Sequence, residues 1–115
     1  MTDCCGRLHA GTATAATAEQ LMRSRYSAFA VGDSRYLLET WHSRTRPRTL
    51  ELDDRVRWTG LDVLTSTGGS LLSAEGTVEF RAHYVVDGVA GAQHENSRFV
   101  REGGHWRYLD GVSLS

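Results

Sequence analysis

Lysine is absent from these 115 residues, proline occurs once and cysteine twice. All thirteen basic residues are therefore arginines, set against fourteen acids for a formal net charge of −1. A chain so balanced has no overall field to draw in nucleic acid or an anionic membrane, and neither partner is expected. Two explanations for the arginine-only chemistry stand side by side: a compositional bias of the genome, or a surface suited to planar, bidentate anion contacts. The densest basic stretch, Arg44, Arg46 and Arg48 with Arg55 and Arg57 beyond, is interrupted by Glu51, Asp53 and Asp54. It reads as a solvated loop of mixed charge.

Long apolar runs are also missing. No stretch approaches the roughly 18 residues that a membrane span requires, and no basic-then-apolar leader is visible. The expectation is one soluble cytoplasmic domain, 40% hydrophobic and long enough to bury a core. Catalytic signatures are absent too. The chain has no Gly-x-Ser-x-Gly elbow, no glycine-rich phosphate loop and no His-Glu-x-x-His. The two cysteines, Cys4 and Cys5, are neighbours. Their Cα atoms, about 3.8 Å apart across a trans peptide, are too close for ordinary disulfide geometry. Reduced thiols side by side agree with a reducing compartment.

What is present is a clear order of elements. Residues 10–16 are small and read as a linker. Thr17 and Gln20 have capping-box spacing, Leu21, Met22, Tyr26, Ala28 and Phe29 form an apolar stripe, and Gly32 is a natural helix stop. Asp33 or Ser34 then caps a shorter helix that buries Tyr36, Leu37, Leu38 and Trp41, with His42 as its C-terminal cap or, with Trp41, at the mouth of a cavity. From about Leu50 the period changes to two. Residues 55–59 and 61–66 are strand-like with Gly60 marking a bulge or bend, and 67–70 form a turn. The longest strand is expected over 72–86, with Val78, Phe80, Ala82, Tyr84 and Val86 on one face. Asp87-Gly88 and Gly103-Gly104 are hairpin turns joining strands at 91–102 and 105–112. Pairing outward from Gly103-Gly104 sets Glu102 against His105, Arg101 against Trp106, Phe99 against Tyr108 and Ser97 against Asp110. The fold class is α+β: two or three N-terminal helices packed in the concave face of a curved antiparallel sheet.

Residues 17–29, the run Tyr36 to His42, Val78-Glu79-Phe80, and His94 to Glu102 with Trp106, Tyr108, Asp110 and Gly111 resemble the YchJ-like family of bacterial proteins. The resemblance covers nearly the whole chain. It implies a cone similar to that of nuclear transport factor 2 and ketosteroid isomerase, spanning residues 13–115. It also implies that residues 1–12 are the remnant of a SEC-C zinc motif, with Cys4 and Cys5 as its last two ligands and the first two lying upstream of Met1. Two thiolates, even with His9, fall short of the four ligands of a closed structural site. The expectation is no cofactor in this chain and zinc in a longer form.

Cavity candidates come from the expected cone. Trp41, Trp58, Tyr84 and Trp106 are its expected aromatic walls, and His94 or Arg98 the polar anchor. Arg81, His83, Glu95, Asp110 and Tyr108 complete the polar and aromatic set weighed. An arginine tied across strands to Asp110, with Phe99 in the core, is the structural alternative for Arg98. Three functions follow: a module binding a small molecule or protein segment, an isomerase- or lyase-type enzyme using His and carboxylates in the cone, and an adaptor presenting the zinc motif. A homodimer through the exposed sheet face is a further expectation from the resemblance.

Overall fold

The structure, a computed structural model, describes residues 15–53, 55–70 and 72–114. Among the described residues two helices, α1 (Ala18–Val31) and α2 (Ser34–Glu39), precede four strands, β1 (Val56–Gly68), β2 (Glu75–Val86), β3 (Val89–Glu102) and β4 (His105–Ser113). The strands form one antiparallel meander in the order β1-β2-β3-β4. This is the expected α+β cone, with the helices packed against one face of the sheet.

Helix α1 begins where Thr17 Oγ1 accepts the Gln20 amide at 3.1 Å. The reciprocal bond is displaced by one residue, because Gln20 Oε1 accepts from the Ala16 amide at 2.8 Å rather than from Thr17. The end of the expected linker is thus tied down, and Ala15 packs against the core. Gly32, at φ 79°, closes the helix in the left-handed region that glycine tolerates. Asp33 caps α2 through its side chain, which accepts the Tyr36 amide at 3.1 Å. That helix stops at Glu39, with Thr40 as its cap, one turn sooner than expected. His42 is therefore no helix cap. Trp41 and His42 instead leave the helix to pair in parallel with β4: the Tyr108 amide donates to Thr40 O and the His42 amide to Tyr108 O, both at 2.8 Å.

Alternation decides what the sheet buries. Val78, Phe80 and Ala82 of β2 meet Leu21 and Met22 of α1, with Phe99 and Trp106 completing the core. Phe29, Leu38 and Trp41, expected in that core, are only half-buried. A second cluster of Ala28, Tyr36 and Leu37 joins the two helices. β1 is one strand, kinked by a bulge at Thr59 beside Gly60 and a second at Leu64. β2 starts at Glu75, three residues later than expected. Asp87 and Gly88, at φ 52° and 81°, form the tight turn between Val86 and Val89.

The final hairpin pairs as expected as far as Phe99 opposite Tyr108, then departs. Leu109 is an inserted residue, so Asp110 faces Arg98 and Gly111 faces Ser97. The cause is tertiary. Leu109 is buried and its carbonyl accepts the Thr45 hydroxyl at 2.6 Å, so the strand bends to meet the segment leaving α2.

Candidate functional site

Charge inside the cone begins with Arg25. Its spacing from Leu21, Met22, Ala28 and Phe29 places it in the apolar stripe of α1, and it is 5% exposed. One terminal nitrogen donates to Leu37 O at 2.8 Å and to Thr40 Oγ1 at 2.7 Å, tying α1 to the end of α2. The guanidinium carbon lies 4.5 Å from the Tyr108 ring centroid and 5.3 Å from that of Trp41. Those two rings meet edge to face at 5.1 Å. A cation over aromatic faces is attracted by their quadrupoles. Burial lowers the Arg25 pKa to about 10, which leaves it charged at neutral pH.

Facing it from β3 is Glu95. Gln93, Glu95, Ser97 and Phe99 fall on the concave face because Glu95 pairs with Phe80 and Ser97 with Val78. The Glu95 carboxyl occupies space that only a glycine leaves open: a Cβ on Gly111 would lie 2.8 Å from its Oε2. Burial pushes this carboxyl above the usual range, while the Ser97 hydroxyl and the field of Arg25 oppose the shift without cancelling it. Tyr108 is pushed up to about 12, first by burial and then by Glu95, so its phenol stays neutral.

These groups border a cavity of about 190 Å³. Met22, Tyr26, Phe29, Trp41, Trp58 and Phe80 supply its apolar wall, and Arg25, Glu95, Ser97 and Tyr108 its polar points. Trp58 is fixed by edge contacts with Tyr26 at 6.1 Å and Tyr84 at 5.6 Å.

Of the residues nominated from sequence, Trp41 and Trp58 line this cavity. The four nominated rings do not converge on it. Tyr84 lies outside it, edge-on to Trp58 and packed over Gly91. Trp106 is buried in the core, where its indole N–H donates to Ala16 O at 3.1 Å and Arg101 stacks on it at 4.4 Å. Neither proposed polar anchor reaches the cavity. His94 and Arg98 alternate with Glu95 and Ser97, so they face the other side of the sheet. There His94 meets Glu79 at 2.6 Å and Arg98 grips Asp110 through two bonds of 2.7 and 2.5 Å. His83 pairs with Asp62 at 2.8 Å on that outer face as well. The structural alternative for Arg98 describes what is there.

Arg25 was missed. Its signal was a charge at apolar spacing, between Leu21 and Ala28, where an ordinary amphipathic helix carries none. Glu95 was among the polar residues weighed, and strand parity separates it from its neighbours.

Cys4 and Cys5 lie outside the described residues. Among the described residues no group of three or more His, Cys, Asp or Glu side chains could hold a metal ion. The two thiols of this chain do not make up the donor set of a closed zinc site.

Comparison with known proteins adds to this geometry. Residues 17–111 match the family model described as the YchJ middle NTF2-like domain. A UPF0225 protein of Streptomyces coelicolor is 57% identical over 111 residues, 96% of this chain and 86% of the relative. One from Chromobacterium violaceum is 51% identical over 113 residues, 95% of this chain and 84% of the relative. A solution structure of a SEC-C motif containing protein from Rhodopseudomonas palustris superposes with a TM-score of 0.84 at 34% identity, covering 98% of this chain and 91% of that one. A crystal structure of a SEC-C motif containing protein from Psychrobacter arcticus gives 0.78 at 30% identity, covering 98% and 72%. The fold is thus shared with these two solved structures, and the chain belongs to the YchJ-like, or UPF0225, family with an NTF2-like domain.

Proposed function

We propose that this chain is a small binding module whose cone takes one ring-sized, largely apolar ligand. The observation that carries this reading is the 190 Å³ cavity, walled by aromatic and aliphatic side chains and bordered by two charged groups not paired with each other. An apolar cavity of about 150 Å³ accepts benzene, so a single substituted ring suits the space. Apolar walls with a few placed polar groups are the usual composition of a ligand site.

Indole N–H resonances test it, because the three tryptophans divide cleanly. Trp41 and Trp58 border the cavity, whereas Trp106 is buried elsewhere. Titration with benzyl alcohol should move the first two and leave the third. A spectrum in which none moves at millimolar probe sinks the reading.

One observation favours a proton-transfer enzyme as the second reading. Glu95 faces the cavity with its pKa raised toward the range in which a carboxylate works as a general base. Its ionised form would take the α-proton of a bound ketone, leaving an enolate, and return a proton from solvent. Deuterium wash-in from D2O to cyclohexanone, abolished in Glu95→Gln, would support it; equal wash-in by that variant would remove it.

A further inference from the structure

Arg25 is more than a tie between helices. Its bonds to Leu37 and Thr40 use a single terminal nitrogen. The other terminal nitrogen and Nε have no hydrogen-bond partner among the described residues, yet no fully buried side-chain nitrogen or oxygen among those residues lacks one. Those atoms therefore keep accessible surface, and Arg25 is among the residues that line the cavity. No carboxylate among the described residues forms an ion pair with Arg25. Glu95 acts on it only through its field, held back beside Gly111 with the Ser97 hydroxyl 3.5 Å away. The cone thus presents a buried, rigidly held cation whose counter-charge is not in contact.

Resting on the reading of the cone as a binding site, we propose that its ligand is a small monoanion: a ring-sized carboxylic acid whose carboxylate docks on Arg25 and whose ring lies against Trp41, Trp58 and Phe29. A guanidinium suits this role because its planar fork matches a carboxylate. Rotation of the fork is restrained here by Tyr108 and Trp41. The titratable and charged groups around Glu95 are Arg25 from α1 and Tyr108 from β4, with Asp110 beyond Tyr108. A second carboxylate arriving in the same space disfavours the charged form of Glu95, so the ligand is accompanied by a proton. A dianion finds one cation among the described residues that line the cavity and is selected against.

The test compares benzoate with benzamide on the intact chain, following the same indole resonances. Benzoate should bind at least tenfold more tightly, moving Trp41 and Trp58 but not Trp106. Its affinity should rise as pH falls from 8 to 6, and Glu95→Gln should flatten that dependence and tighten binding at pH 8. Arg25→Lys, checked for a native spectrum, should lose most of the preference for the anion. Equal binding of benzoate and benzamide overturns the anion assignment and leaves the cone reading standing, as does unchanged benzoate affinity in a folded Arg25→Lys. Failure of both probes to move Trp41 and Trp58 overturns the cone reading and this inference together. If Arg25→Lys does not fold, the benzoate–benzamide comparison still decides.

Discussion

A half-buried carboxyl with no ion pair among the described residues costs stability whenever it is charged, and Glu95 is that group. Its raised pKa, caused first by burial, means that the folded chain holds this proton more tightly than the unfolded chain does. The resulting contribution to stability is complete below the ordinary value of 4.5 and is lost as pH rises through the folded-state value. Glu95→Gln keeps the shape and removes the charge. The variant should therefore melt above the parent at pH 7.5, with the difference shrinking toward pH 4.5. A difference that is negative or independent of pH would mean that burial is not what shifts this group. Gly111→Ala tests the same carboxyl from the other side, since the new methyl would start 2.8 Å from Oε2. It should displace Glu95 and change the pH dependence of melting more than it changes the sheet. At this scale the sequence was only partly legible. Phe99, expected in the core, already implies by strand parity that Glu95 and Ser97 face inward and that His94 and Arg98 face outward, an alternation that the choice of His94 or Arg98 as anchor did not follow. Arg25 is hidden because an arginine on a helix is ordinarily assigned to solvent.

Elements were easier to read than sites because their signals are local. Thr17, Gly32, Asp33, Asp87-Gly88 and Gly103-Gly104 each impose a backbone geometry through their own side chain, or lack of one, and each stands where expected. The Leu109 bulge had no such mark. It arises from docking of Thr45, 64 residues earlier in the chain, and no local pattern announces a contact of that separation. The end of α2 was misplaced for a similar reason, since Trp41 is drawn off the helix by Tyr108. Two substitutions check the elements. Phe80→Ala removes a ring that is 6% exposed from the centre of β2 and should cost about 3–5 kcal/mol in denaturant unfolding. Thr17→Ala should cost about 1 kcal/mol through loss of the α1 cap. A near-neutral result for Phe80→Ala would show that the concave face of β2 has been misassigned.

Across the whole molecule, ligand and fold are linked by mass action. Benzoate at a hundred times its dissociation constant should stabilise the chain by about 2.7 kcal/mol. The increment should vanish if the cavity wall is removed by Trp58→Ala while the fold is kept. The crossover after α2 has an additional consequence, for the borders of the sheet. An open four-stranded sheet has two unpaired edges, each able to recruit a foreign strand. On β4 the outward-pointing groups of Tyr108 are already engaged, its amide by Thr40 and its carbonyl by His42. On β1 the two bulges, at Thr59 and Leu64, break the regular spacing that an incoming strand would need. The chain thus guards one border by covering it and the other by deforming it. Amide exchange should reveal the difference, with Tyr108 protected although it lies on a terminal strand, and the outward amides of β1 exchanging quickly.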